Sequence, residues 1–297
     1  MSRVPSPASF PGPRVTVVIP AKNESARIGR AISRVFDTVR ASCEIVVVVD
    51  SADDPTWTEV QAKAAGEPRL RCLVGEYGPG PANAIRYGID QARAATVVVT
   101  MADNSDDPRQ IDELAALVDA GAVVAAASRY CQGGSQIGGP LVKGLLSRLA
   151  GRSLHVLART GTRDATNSFK AYSAAFVREV GIDSRQGFAI GIELTAKARR
   201  LRRPVAEIPT TWLDRTGGDS AFRLFAWLPA YLRWYLFSFG WALTTEQVRR
   251  RCGRPEAARP ALVPFVPAQG RPTDWAAWHV IAGRDKLVRA GESRGAA

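Results

Sequence analysis

Histidine is nearly absent from this chain: its 297 residues contain two, His155 and His279. Catalytic triads and His-rich metal sites therefore lose their basis. The four cysteines, Cys43, Cys72, Cys131 and Cys252, are far apart and form no CxxC pair. That excludes a zinc ribbon and argues for reduced thiols in a cytosolic setting, not a disulfide framework. No GxxxxGK[ST] occurs, and no GxGxxG follows the first strand, so P-loop and dinucleotide-binding readings lose most of their support. Residues 1–13, MSRVPSPASFPGP, lack the apolar core of a signal peptide and are expected to be a disordered leader. A clean membrane span is missing too. The most apolar stretch, 224–243 (LFAWLPAYLRWYLFSFGWAL), is broken by Pro229 and Arg233. A spanning helix needs about 20 apolar residues, and an arginine at its centre costs about 3 kcal/mol. Aromatics with flanking arginines fit an amphipathic element in the membrane interface; the rival is a helix packed on the protein's own core.

What the chain has in excess is positive charge, +12 overall. It is unevenly placed: from Ala221 onward there are 12 Lys+Arg against 5 Asp+Glu. Such a bias suits an anionic partner, whether lipid surface or phosphate-bearing substrate. No aromatic-interleaved basic patch precedes residue 220, so nucleic acid is not an expected partner.

Apolar β-branched runs at 14–19, 44–49, 70–74, 96–100 and 122–127 alternate with helical periodicity at 28–39, 56–65, 81–94 and 109–118. This alternation predicts βαβ units and an α/β fold with a mostly parallel sheet flanked by helices. Further on, the pattern predicts a Gly-rich loop at 131–139, a helix over 140–159, a short segment at 167–172, a helix at 190–200 and a strand at 205–209. The remainder, 244–297, reads as a basic Pro/Arg-rich tail with one helical patch near 275–288.

Polar residues stand at the ends of successive strands: Pro20-Ala21-Lys22-Asn23-Glu24, Asp50, Asp103 and Ser128-Arg129. In parallel sheets these ends face one ligand crevice. The stretch VVVTMADNSDDP, from Val97 to Pro108, adds a carboxylate cluster there. Asp103 and Asp106 are hard oxygen ligands suited to Mg²⁺ or Mn²⁺ holding a pyrophosphate. Asp107 is expected to cap the helix that follows, and Glu193, beside apolar residues on a helix, is expected to be structural.

Six segments in order, IPAKNESARI, VVVVDSADDPT, VVVTMADNSDDP, AASRY, NSFKAY and EIPTTWLDRTGGDS, resemble family 2 glycosyltransferases of the GT-A fold, and among them the dolichyl- or polyprenyl-phosphate mannose synthases. The resemblance covers about Val15 to Ser220. It implies a GT-A domain over 14–220, with a nucleotide-binding half to residue 130 and an acceptor half beyond, followed by an interfacial segment at 221–243. Carried across, Pro20, Ala21, Glu24, Asp50 and Ala82 would line the nucleotide, Ala82 replacing a frequent glycine. Asp103 matches the second aspartate of the Asp-x-Asp metal motif, with Met101 in the first position. Asp50 or Asp106 would then compensate, or substrate phosphates and water would fill the shell. Arg129 and Lys170 match basic positions that bind phosphate and join Asp103 as the catalytic set. Ser135, Asp164, Arg215 and Ser220 complete the acceptor side.

The implied activity is a metal-dependent, inverting transfer of a hexose, with mannose from GDP-mannose first, to a polyprenyl phosphate. The enzyme would sit peripherally on the cytosolic membrane face, with room for a protein partner. UDP-glucose or UDP-N-acetylglucosamine as donor, a soluble or protein acceptor, and a non-catalytic nucleotide-sugar binder are the alternatives.

Overall fold

The computed structural model describes residues 12–139, 141–214 and 224–252, with two short segments at 278–280 and 287–289. Seven strands form the central sheet: β1 (Val15–Pro20), β2 (Cys43–Val49), β3 (Leu70–Val74), β4 (Thr96–Val99), β5 (Val124–Ser128), β7 (Lys170–Ser173) and β8 (Val205–Pro209). Their order is β3-β2-β1-β4-β7-β5-β8, parallel except for β7, which runs antiparallel between β4 and β5. Two further strands, β6 (Ser135–Ile137) and β9 (Thr211–Leu213), pair beside this sheet.

The strands are apolar throughout because both faces are covered. Along β1, Val15, Val17 and Ile19 join a core with α1 (Ser25–Thr38), α2 (Pro55–Ala64) and α4 (Ile111–Asp119), while Val18 faces α3 (Pro81–Asp90). Alternation along a strand thus feeds two cores. The second also takes α6 (Ala174–Val180) and α7 (Ile190–Arg200).

Beyond β6 the chain forms α5 (Leu141–Ser153), which widens into a π-helical turn at Leu154–Ala158. Next to it lies α8 (Leu224–Ser238), the apolar stretch noted above. One of its faces packs on the protein's own core, as one of the two readings expects. Trp234 and Ser238 are buried against a core containing Leu154 and Ile192, while Leu228, Leu232 and Leu236 are exposed. No helix among the described residues is long and apolar enough to cross a membrane.

Several expectations need correction. α3 stops at Asp90, short of Ala94, and α6, β6 and β9 were not anticipated. The tail contributes α9 (Thr245–Cys252), whose Val248 and Cys252 are buried four residues apart on one side. Where the helical patch near 275–288 was expected, β10 (Trp278–Val280) and β11 (Leu287–Arg289) pair antiparallel. The leader through residue 11, and most of the tail, lie outside the described residues.

Candidate active site

Four parallel strands, β1, β2, β4 and β5, end on the same side of the sheet, and the loops leaving them make the crevice. After β1, Pro20 and Ala21 are buried, with the Ala21 N–H donating to Val48 O at 2.9 Å. The next turn needs Asn23 at φ 55°, a left-handed conformation asparagine tolerates. Asp54 accepts from Asn23 N at 2.9 Å and Thr56 Oγ1 accepts from Glu24 N at 2.9 Å, fixing the turn from α2. Burial raises the Glu24 carboxyl; Arg27 opposes this, and Asp103 and Asp54 add to it.

Asp50 closes β2. Its Oδ1 accepts from Gly80 N at 2.9 Å, and its Oδ2 lies 3.3 Å from Lys22 Nζ. One carboxylate thus ties together the first loop, the end of β2 and the entrance to α3. Ala82, expected at the nucleotide, is fully buried in the core with Val18 and Ile85. At the second position of α3 its methyl points into the core, so the side chain cannot line a ligand.

The acidic loop after β4 is folded tightly around Asn104, at φ 62°. Arg34 from α1 donates to Asn104 O at 3.2 Å. Asp103, partly exposed, accepts from Ser105 N through Oδ1 at 2.9 Å. Asp106 is buried; its Oδ2 accepts from Thr100 Oγ1 at 2.9 Å and Met101 N at 3.2 Å. Burial, and then Asp103, push the Asp106 carboxyl up to about 7. Asp107 accepts from Arg109 N at 3.1 Å and caps the short 3₁₀ turn at Pro108–Gln110, as expected.

The neighbouring group, from β5 and β7, is basic. Arg129 leaves β5 and is gripped by Asp164: Nε–Oδ2 is 2.7 Å and Nη2–Oδ1 is 2.9 Å, a two-pronged pair. Asp164 also accepts from Arg129 N at 3.0 Å. Burial works against both charges, yet the pairing dominates: the Arg129 guanidinium is held above its usual range and the Asp164 carboxyl below. Asp164 is fully buried, so its carboxylate is spent on positioning Arg129. Lys170, the first residue of β7, is wedged between Val99 and Ala126. It too is fully buried, and its ammonium donates to the carbonyls of Asp164, at 2.9 Å, and Asn167. Burial brings it down to about 8 despite Asp164. Expected at a phosphate, Lys170 is enclosed here and braces the turn that holds Asp164. Gly191 of α7 permits this packing, since a Cβ there would lie 2.9 Å from Asn167 O.

Ser135 sits on β6 with its hydroxyl 2.9 Å from Thr211 Oγ1. Arg215 and Ser220 lie outside the described residues. Sequence reasoning missed Tyr130, whose ring carries Arg129 at 4.8 Å and Arg148 at 5.3 Å, and Ser147 and Thr166, which flank Arg129 Nη2. It also missed Tyr231 of α8, close enough to Arg129 to feel its charge. The signal available for Tyr130 was its place beside Arg129 in AASRY.

Asp103, Asp106, Arg129, Asp164 and Lys170 are thus brought into one electrostatically coupled group from four segments of chain. Among the described residues no three His, Cys, Asp or Glu side chains form a ready metal cage. The arrangement can hold a bound group against acidic and basic side chains together.

Comparison with known proteins gives this crevice a context. The glycosyl transferase family 2 profile matches residues 16–181. The chain is 30% identical to a polyprenol monophosphomannose synthase of Mycolicibacterium smegmatis, over 71% of this chain and 81% of that one. It is 27% identical to an undecaprenyl-phosphate mannosyltransferase of Micrococcus luteus, over 70% of this chain and 86% of the other. Among solved structures, glucosyl-3-phosphoglycerate synthase of Mycobacterium tuberculosis, in complex with Mn²⁺, UDP and glucosyl-3-phosphoglycerate, superposes with TM-score 0.56 at 18% identity, covering 82% of each chain. A mannosyltransferase of Pyrobaculum calidifontis in complex with GDP-mannose and Mn²⁺ superposes with TM-score 0.54 at 17% identity, over 81% of this chain and 68% of that one. These neighbours establish a GT-A fold, and the chain belongs to glycosyl transferase family 2, a glycosyltransferase by membership.

Proposed function

We propose that the protein transfers mannose from GDP-mannose to a polyprenyl phosphate at the cytosolic face of a membrane, with inversion at the anomeric carbon. The observation that carries this reading is the charged group gathered at the strand ends, where Asp106 feels both Asp103 and the enclosed Arg129. The names of the family relatives supply the sugar and the lipid. Pro20, Ala21, Glu24 and Asp50 would receive the nucleoside. Asp103 would face the pyrophosphate together with a divalent cation, Mg²⁺ or Mn²⁺. The donor set fits such an ion: Asp103 keeps one carboxylate oxygen clear of hydrogen bonds to the described residues, and the Ser105 hydroxyl beside it is buried without a partner. A shell completed by substrate phosphates and water is ordinary for Mg²⁺. When bound, the ion neutralises charge on the departing diphosphate.

The chain's own part in the step is positioning and charge. The acceptor's phosphate oxygen is already ionised near neutral pH, because phosphate monoesters have a second pKa of about 6. It needs no strong general base, which agrees with a crevice built without histidine. That oxygen attacks the anomeric carbon, the bond to the nucleotide diphosphate breaks, and Arg129 stabilises phosphate charge near the reacting centre. In-line displacement of an α-linked donor gives a β-linked product.

The test is to incubate the purified protein with Mg²⁺ or Mn²⁺, polyprenyl phosphate and a panel of labelled nucleotide sugars. Label entering the organic phase from GDP-mannose, and lost with EDTA, supports the reading. Label from a UDP-sugar instead replaces the donor. Nucleotide release without lipid labelling moves the acceptor to a soluble or protein molecule. An α-linked product overturns the inverting step.

A further inference from the structure

At the end of β8 away from the crevice, the loops around Val205 form an open concavity of about 270 Å³. Four arginines line it: Arg159, Arg199, Arg202 and Arg203. They come from two regions distant in sequence: Arg159 follows the π-helix, Arg199 ends α7, and Arg202 and Arg203 lie in the turn after it. Each region places a non-glycine residue in the left-handed conformation, Arg159 at φ 56° and Arg202 at φ 53°. Arg203 has a carboxylate neighbour, Glu179, at 3.3 Å. Among the described residues, no carboxylate pairs with Arg159, Arg199 or Arg202. Arg199 instead donates through Nε to the carbonyl of Ala158, which fixes its guanidinium at the cavity wall. The positive potential extends further: Arg200 is lowered by burial first, and then by Arg251 and Arg199. Four cations around one concavity, of which Arg203 has a carboxylate partner among the described residues, make a receptor for a phosphate group.

The cavity borders an apolar face. Immediately before Arg159, the π-helix exposes Val156 (60%) and Leu157 (69%). Leu145 and Leu149 of α5 continue this stripe, and Leu228, Leu232 and Leu236 form another on α8. The two elements are joined, with Ser153 Oγ 2.9 Å from Tyr235 OH. Trp241, just past α8, is 89% exposed. Exposed leucines rimmed by arginines, with a tryptophan at the margin, are the composition of a surface that lies in a bilayer interface.

We propose that this cavity binds the phosphate of an anionic bilayer phospholipid, whose acyl chains lie along Val156, Leu157 and the leucines beside them. Charge complementarity selects the anion, and the apolar margin selects a lipid over a soluble phosphate. The inference rests on the membrane-facing reading of α8, but it places lipid recognition at the opposite end of the sheet from Asp103 and Arg129. Attachment and turnover are therefore separable.

Full-length protein is measured for binding to phosphatidylcholine vesicles and to vesicles of equal parts phosphatidylcholine and phosphatidylglycerol. The wild type binds the anionic vesicles more tightly. The double variant Arg159→Gln/Arg202→Gln, at two exposed positions, loses roughly thirtyfold of that affinity, the effect of removing two cations beside an anionic surface. Its binding to neutral vesicles, and its turnover on a short-chain acceptor in detergent, stay as in the wild type. Leu232→Ser weakens binding to both kinds of vesicle. An equal loss from Arg30→Gln/Arg40→Gln, exposed on and just after α1 on the far face of the sheet, would reduce the effect to net charge and overturn the site. Unchanged anionic-vesicle binding by the Arg159/Arg202 variant also overturns it. So does competition by glycerol phosphate as effective as that by the lipid, which would make the ligand a soluble phosphate. If the wild type binds no vesicles yet turns over in detergent, the membrane reading falls with this proposal and the transferase stands.

Discussion

Lys170 and Lys197 are both fully buried, and their surroundings differ in one respect. Around Lys197 stand two carboxylates, Asp183 at 2.5 Å and Glu193 at 2.6 Å, with the Gly181 carbonyl at 2.8 Å. Glu193 also accepts from the Asp183 and Ser184 amides. Burial pulls this ammonium down, but the two carboxylates outweigh it and the net shift is upward. Two carboxylates face one ammonium there, and the group ties α7 to the turn before it. Around Lys170 the balance is reversed. Its own oxygens are carbonyls, and the one fully enclosed carboxylate, Asp164, is already engaged by Arg129. Two cations share one anion, and the remaining carboxyl behind the crevice, Asp106, is itself raised to about 7. The first cluster is closed and structural. The second leaves Lys170 on backbone carbonyls alone, with Arg129 and its one carboxylate, Asp164, beside it.

Breaking the open cluster has the largest effect. Asp164→Asn leaves Arg129 enclosed without a counter-charge, and it should cost about 3–5 kcal/mol of stability along with turnover; the urea midpoint and the transfer rate read both. Asp103→Asn should leave the urea midpoint near the wild type and lower turnover by roughly 10²–10³, the scale seen when one electrostatic partner of a transition state is removed. A retained rate would take Asp103 out of the chemistry. In the closed cluster, Glu193→Gln still leaves Asp183 beside Lys197. The expected cost is about 1–3 kcal/mol in urea unfolding, with turnover per folded molecule unchanged. A specific loss of turnover there would erase the distinction between the clusters.

The smallest effect is a slope against pH. In metal-free protein the Asp106 carboxyl titrates near 7, against an ordinary value of 3.8. Between those values the folded chain holds a proton that the unfolded chain has released. The stability this carboxyl contributes is full below the lower value and falls as pH rises towards the upper one. Asp106→Asn should flatten that segment of the profile, as urea midpoints across the window would record.

Much of the acidic wall was legible because it is local. A β-branched run followed at once by Asp50, or by the loop carrying Asp103, places a carboxylate at a strand end without knowledge of anything else. The basic wall was legible in identity but not in arrangement. Arg129 and Asp164 are 35 residues apart, and nothing in either segment says that one grips the other. Lys170 could be named, but its burial depends on β7 lying between two strands, which the six residues NSFKAY do not announce. Ala82 came from the resemblance alone, which matches a position in the motif and says nothing of which way its side chain turns. The α6 segment carried signals that were available: Ser173 accepts from Phe176 N at 3.4 Å as an N-cap, and Gly181 follows the helix at φ 66°. The β6–β9 pair, three residues on each side, offers too short a pattern to read.

The late arrival of β7 also sets the order in which the protein can be born. A nascent chain that has emerged as far as Ser128 can assemble β3, β2, β1 and β4, but β5 then has neither of its neighbours, since β7 and β8 are still to come. The free edge of β4 must wait for a strand that begins at Lys170. Pairings over such separations close slowly, and unfilled edges in the meantime invite association with other chains. The acidic wall can therefore exist before the basic one, and the crevice becomes complete only when a single short, reversed strand docks between them.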